Sequence, residues 1–188
     1  MQACALVPTV TDEPRIDPVV ALIHQGRHRE ALAECAREHA RVLGRLCMAL
    51  LGSQADADEA AQETLLRAHR AMPTFRGEGT IKSWLCGIAR HVCAHTLETR
   101  RKGRELAEIA VVPDEDSEQF ATRQIARSLR AALDQLKPSE RDVLVLRFVA
   151  DLSHREIAIA CNLDEAAARK RISRALARLR SVMPGGSE

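Results

Sequence analysis

Three residue types dominate this sequence: 30 Ala, 21 Leu and 24 Arg, 75 of its 188 residues, and all three stand near the top of the helix-propensity ranking. A chain so composed is expected to be all-α. Its four aromatics, Phe75, Trp84, Phe120 and Phe148 with no Tyr, leave little of the aromatic and β-branched material on which antiparallel sheets draw, which argues against a sandwich or barrel. Hydrophobic residues at 46% are enough for a core and too many for a wholly disordered chain. At roughly 100–200 residues per domain the length allows one domain or two small ones.

Breakers and apolar periods divide the chain. Residues 1–16, with Pro8 and Pro14 and no helical period, read as a loose tail. A helix is expected after Asp17, with Pro18 in its first position and a pause at Gly26. A longer one follows from about His28 to Leu51, burying Leu32, Cys35, His39, Val42, Leu43, Leu46 and Leu50 at spacings of three and four. After Gly52-Ser53 a third, Ala55 to Met72, turns Ala60, Ala61, Thr64, Leu65 and Ala68 inward and ends at Pro73. Two glycines in Thr74–Thr80 announce a shaped loop. Ile81, Trp84, Leu85, Ile88, Ala89 and Val92 then mark a helix that runs into Arg100-Arg101-Lys102 and is expected to close at Gly103. Trp84 lies on that apolar stripe, so core packing is favoured over an exposed stacking role.

Residues 104–117 are acidic and contain Pro113, as suits a linker. Beyond them Ile125, Leu129, Ala132, Leu133 and Leu136 predict a helix stopped by Pro138. Ser139-Glu140-Arg141-Asp142 and Ser153-His154-Arg155-Glu156 both read as capping boxes that open helices. The second opens a short helix to about Cys161, Asn162-Leu163 form a tight turn, and Asp164 caps a last helix to about Val182. This is a helix-turn-helix pattern. Residues 183–188 are a second tail.

The net charge of +2 conceals segmentation. Glu165–Arg180 holds six basic residues against Glu165 alone, whereas Glu105–Glu118 holds six acidic residues and no basic one. In the last helix Ala168, Ile172, Ala175 and Leu179 share one face, and Arg171, Arg174 and Arg178 another. Three alanines, Ala166 to Ala168, let its first turn approach a groove, and arginines suit phosphates and the acceptor edge of guanine. No apolar run is long enough to cross a bilayer and no leader pattern opens the chain, so a cytosolic location is expected. The six cysteines lack a CxxC pair and read as reduced thiols. Cys86, His91, Cys93 and His95 lie close in sequence without the usual ligand spacing, so no metal or other cofactor is expected.

Both halves resemble one family, the extracytoplasmic-function (ECF) type of bacterial sigma factor. The first half resembles it from Asp56 to Ala68 (Asp-Ala-Asp-Glu-Ala-Ala-Gln-Glu-Thr-Leu-Leu-Arg-Ala), at Phe75-Arg76-Gly77, and at Trp84-Leu85-Cys86-Gly87-Ile88-Ala89-Arg90. The second half does so at Leu136-Lys137-Pro138-Ser139-Glu140-Arg141, at Leu152–Ala158 and at Arg169–Ala175. The resemblance covers about residues 20–181. It implies two helical domains: a four-helix region 2 over 17–103, which binds RNA polymerase and opens the minus-ten element, and a helix-turn-helix region 4 over 118–182, which reads the minus-thirty-five element.

Carried over by position, Asp56, Asp58, Glu59, Gln62 and Glu63 would dock on the clamp helices of the polymerase largest subunit. Arg76, Gly77, Glu78, Gly79 and Thr80 would hold a base flipped from the non-template strand, with Lys82, Arg90 and His91 along the backbone. Ser153, Arg155, Glu165, Ala167, Arg169, Lys170, Arg171 and Arg174 would contact the minus-thirty-five duplex. Core polymerase, including the flap region of its second-largest subunit, promoter DNA and an anti-sigma factor are the partners so implied. Three sites depart from the family: Leu65-Leu66 stand where an aromatic is common, His91 where an Asn often follows Ile-Ala-Arg, and Ala166-Ala167-Ala168 where many members have Gly-Thr-Val. A helix-turn-helix regulator without polymerase function would leave the first half unexplained. A thiol or metal enzyme lacks any nucleophile–base pair or phosphate loop.

Overall fold

A computed structural model of the chain describes residues 17–106 and 128–183, and their regular structure is entirely helical. The expected tail over 1–16, residues 107–117 of the expected linker, residues 118–127 with Phe120 and Ile125, and residues 184–188 lie outside it.

Helix α1 (Pro18–His24) begins where Asp17 Oδ1 accepts the Val19 N–H at 2.9 Å, with Pro18 in the first turn. Helix α2 (His28–Leu51) ends at Gly52, whose φ of 76° lies in the left-handed region that favours glycine. Helix α3 (Gln54–Ala71) is followed by a 3-10 turn, Met72–Thr74, so Pro73 ends it as predicted. Helix α4 (Ile81–Leu106) runs through Gly103 rather than closing there, and so takes in three residues of the expected linker. An interior glycine costs only about 1 kcal/mol relative to alanine, too little to stop a helix with a strong apolar face.

In the second half, α5 spans 128–134 of the described residues and α6 runs Pro138–Phe148. The predicted Ser139/Asp142 box does not form. Instead the Lys137 N–H donates to Glu140 at 3.2 Å, because a proline suits the first helical position and moves the cap to the residue before it. Helices α7 (His154–Cys161) and α8 (Glu165–Val182) begin at Ser153 and Asp164, as the sequence predicts. Between them Asn162 adopts φ 52°, and the Leu163 N–H returns to the Ala158 carbonyl at 2.8 Å.

Leu43, Leu46, Ile81 and Leu85 are fully buried in the first half; Val143, Leu146, Leu152 and Ile157 are in the second. Each such side chain contributes roughly 1.5–3 kcal/mol. α2 packs on α3 and α4, and α6 packs on α7 and α8. The halves also meet, α4 against α7 and α2 against α6, and their buried residues form one continuous cluster. Cys35, Cys47, Cys86 and Cys93 are buried thiols within it. Among the described residues no helix is long and apolar enough to cross a membrane.

Candidate nucleic-acid and protein interfaces

The acidic helix has its apolar side, Ala57, Ala60, Thr64 and Ala68, against the core. Its outer side faces a groove of about 510 Å³ between α3 and α4. Of the five residues predicted there, Asp56, Glu59, Gln62 and Glu63 line this groove and Asp58 does not. Asp56 is ion-paired with Arg100 of α4, which also reaches the Leu51 carbonyl at 3.4 Å. Glu63 pairs with Arg67 at 2.6 Å, and that hydrogen bond holds its carboxyl below the ordinary value. Asp58 accepts a hydrogen bond from Gln54 at 2.8 Å. Sequence reasoning missed Leu66, 51% exposed at the groove, and His95 and Thr99 on its α4 wall. Leu66 follows Glu59, Gln62 and Glu63 by seven, four and three positions, a spacing that puts all four on one face.

The loop ahead of α4 is exposed from Arg76 to Thr80. Gly77 and Gly79 have φ of 73° and 80°, which explains both glycines. A Cβ on Gly79 would also stand 2.9 Å from Ile159 Cδ1. The loop is anchored by Phe75, whose ring lies 4.9 Å from that of Trp84, and Trp84 packs against the core as its stripe predicts. Thr80 caps α4: its Oγ1 accepts the Ser83 N–H, and Ser83 Oγ accepts the Thr80 N–H, both at 3.1 Å. The same Thr80 hydroxyl donates to Glu156 of α7 at 2.7 Å. Lys82 Nζ donates to the Asp151 carbonyl at 3.4 Å, and Arg90 pairs with Asp142 of α6 at 3.4 Å. Arg90 Nη2 also lies 2.9 Å from His91 Nε2. Burial first, and then the Arg90 charge, lower the His91 pKa.

In the helix-turn-helix, Ser153 is the N-cap of α7, with its N–H donating to Glu156 at 2.9 Å and its Oγ accepting the Glu156 N–H at 3.2 Å. Burial pushes the Glu156 carboxyl up, but hydrogen bonds from Thr80 and Ser153 outweigh it and leave the pKa lowered. Arg155, Arg169, Lys170 and Arg174 are exposed; Ala167 and Arg171 are half-buried. An open concavity along α8 is lined by Glu165, Ala166, Arg169, Lys170 and Ser173, with Glu165 paired to Arg169 at 2.5 Å. Arg178, third in the predicted cationic stripe, turns back to Glu140 of α6 at 3.2 Å. Among the described residues no cluster of His, Cys, Asp and Glu could hold a metal ion.

Residues 35–103 match the model of sigma-70 region 2, and residues 126–179 that of sigma-70 region 4. The ECF RNA polymerase sigma factor SigG of Mycobacterium tuberculosis is 30% identical over 187 residues, covering 85% of this chain and 47% of SigG, so the chain spans about half the length of that relative. SigD of Mycobacterium bovis is 33% identical over 178 residues, covering 88% of this chain and 82% of SigD. Two solved structures share the fold. CnrH, solved with the cytosolic domain of CnrY, superposes with a TM-score of 0.66 at 21% identity over 87% of this chain and 94% of its own. RpoE of Bartonella quintana, solved with the anti-sigma factor NepR, gives 0.62 at 19% identity over 80% and 94%. An acidic helix groove ahead of a helix-turn-helix, matched in order by two sigma-70 regions and by SigD over most of both chains, has one reading: this chain belongs to the ECF family of RNA polymerase sigma factors.

Proposed function

We propose that the chain binds core RNA polymerase and directs promoter-specific initiation, in the cytoplasm and in response to a stress or environmental signal. The observation that carries this reading is the presence, on one chain, of an acidic groove on α3 and a cationic helix-turn-helix face on α8. In this reading Asp56, Asp58, Glu59, Gln62 and Glu63 meet the clamp helices, with Leu66 adding apolar contact to a polar interface. The Arg76–Thr80 loop, Lys82, Arg90 and His91 hold the melted minus-ten strand. Arg155, Arg169, Lys170, Arg171 and Arg174, with Ser153, Glu165 and Ala167, engage the minus-thirty-five duplex. The chain itself does no chemistry; it positions DNA for a reaction that the polymerase catalyses. An anti-sigma factor is the third partner we propose, in line with the NepR complex of the similarly folded RpoE. Run-off transcription with core polymerase over several candidate promoters tests the reading. A promoter-dependent product supports it, and none over all templates refutes it.

A further inference from the structure

The first half meets the second through the residues assigned above to melted DNA. The Thr80 hydroxyl donates to Glu156, Lys82 to the Asp151 carbonyl, and the Arg90 guanidinium to Asp142. Arg90 and Asp142 are only 17% and 14% exposed, so this pair is shut inside the seam rather than lying on its rim. Small residues let the helices close: a Cβ built on Gly87 of α4 would stand 3.3 Å from the Ala160 carbonyl oxygen of α7, 3.4 Å from its Cα and 3.7 Å from its Cβ. A Cβ at Gly79 would press on Ile159 of α7, 2.9 Å from its Cδ1. Hydroxyl, ammonium and guanidinium groups suited to phosphate oxygens are thus engaged by two carboxylates and a carbonyl of the same chain. With Arg90 shut inside it, the closed seam keeps a DNA phosphate from the guanidinium. The Arg90 Nε is buried and has no partner among the described residues, so the seam leaves its strongest cation incompletely satisfied.

We propose that the free protein is self-latched: its helix-turn-helix half, through α6 and α7, occupies Thr80, Lys82 and Arg90, and the α4–α7 seam must part before the minus-ten strand can be held. This rests on the assignment of those three residues to DNA under Proposed function. Binding to polymerase and promoter favours the parted form and shifts the population towards it.

The test is a reversible lock on the full-length chain. The Gly87–Ala160 separation matches the Cβ–Cβ distance of about 3.8 Å found in disulfides. Gly87→Cys with Ala160→Cys should therefore cross-link on oxidation, as identified by peptide mapping, while wild type and each single variant carried through the same oxidation should not. With core polymerase the cross-linked sample should give about tenfold less run-off product than the same sample after reduction. As a second variant, Asp142→Ala frees Arg90 without touching the proposed DNA residues. Without polymerase it should bind a fluorescent mixed-sequence single-stranded 20-mer about threefold more tightly than wild type at one fixed salt concentration. Failure of the folded double variant to cross-link overturns the latch. So does full activity while cross-linked, or unchanged oligonucleotide binding by Asp142→Ala. Wild-type run-off separates these results from a failure of the underlying reading: product from wild type and undiminished product from the locked protein removes only the latch, whereas no product from wild type removes the sigma-factor function and the latch with it.

Discussion

Leu66 and Leu85 have the same side chain and opposite consequences. Leu85 is fully buried where α4 meets the core, so Leu85→Ala should cost about 2–5 kcal/mol, read as a lowered urea midpoint. Leu66 is half exposed on the α3 groove, and Leu66→Ala should leave stability within about 0.5 kcal/mol. If the groove meets polymerase, that variant should instead lose about 1 kcal/mol of affinity for core enzyme in a competition assay. The thiols follow the same logic of burial. Burial first, with carboxylates such as Asp17 nearby, pushes the Cys35 thiol up to about 11, and burial pushes Cys86 up to about 12. The thiolate is the reactive form, so at about pH 8 both should resist iodoacetamide in the native protein and react once it is unfolded. Mass mapping of alkylated peptides decides the point; rapid native labelling of Cys86 would contradict its placement in the core.

Helix ends were legible in the sequence wherever a cap, a proline or a glycine carries its own local chemistry. Asp17 with Pro18, Gly52, Ser153 with Glu156, Asn162 and Asp164 all bound the helices they were expected to bound. The misses came where two local rules competed. Pro138 took the first position of α6 and made Lys137 its cap, and Gly103, which a helix tolerates at about 1 kcal/mol, did not close α4. The Ser153/Glu156 box makes two measurable predictions. Ser153→Ala should cost about 1 kcal/mol by loss of the cap. The Glu156 carboxyl is held below its ordinary 4.5 by hydrogen bonds that outweigh burial. A depressed folded pKa contributes stability that is full above the unfolded value and disappears as pH falls through the folded one. Glu156→Gln removes this increment, so between about pH 5 and pH 3 the urea midpoint of the variant should fall less than that of wild type. Parallel midpoint curves would mean that the carboxyl is not held down in the folded chain.

At the scale of the whole molecule the sequence was least informative, because Arg90 and Asp142 lie 52 positions apart and each has an ordinary local explanation. Asp142 reads as a helix cap and Arg90 as a strand-tracking cation, and only the fold pairs them. The acidic α3 face and the α8 stripe could be read locally because each belongs to one helix, although Arg178 turned inward to Glu140. The two proposed DNA contacts differ in chemistry, and this separates them experimentally. Arg174 is exposed and Arg171 half-buried on α8. Replacing both by Ala should weaken capture of duplex promoter by the polymerase complex, at about 1–3 kcal/mol for an arginine that reads a base and less for one that touches only phosphate. Strand opening should survive on pre-melted templates. Gly77→Val should do the reverse. Gly77 needs positive φ and has open space around it, so the loop loses its shape while the helix-turn-helix is untouched, and closed-complex binding persists as permanganate reactivity of the minus-ten thymines disappears. Both variants must be compared at one salt concentration, since phosphate contacts release counterions and affinity falls steeply as salt rises. Equal loss of closed-complex binding by the two variants on duplex DNA would show that loop and helix do not divide the work of recognition and opening between them.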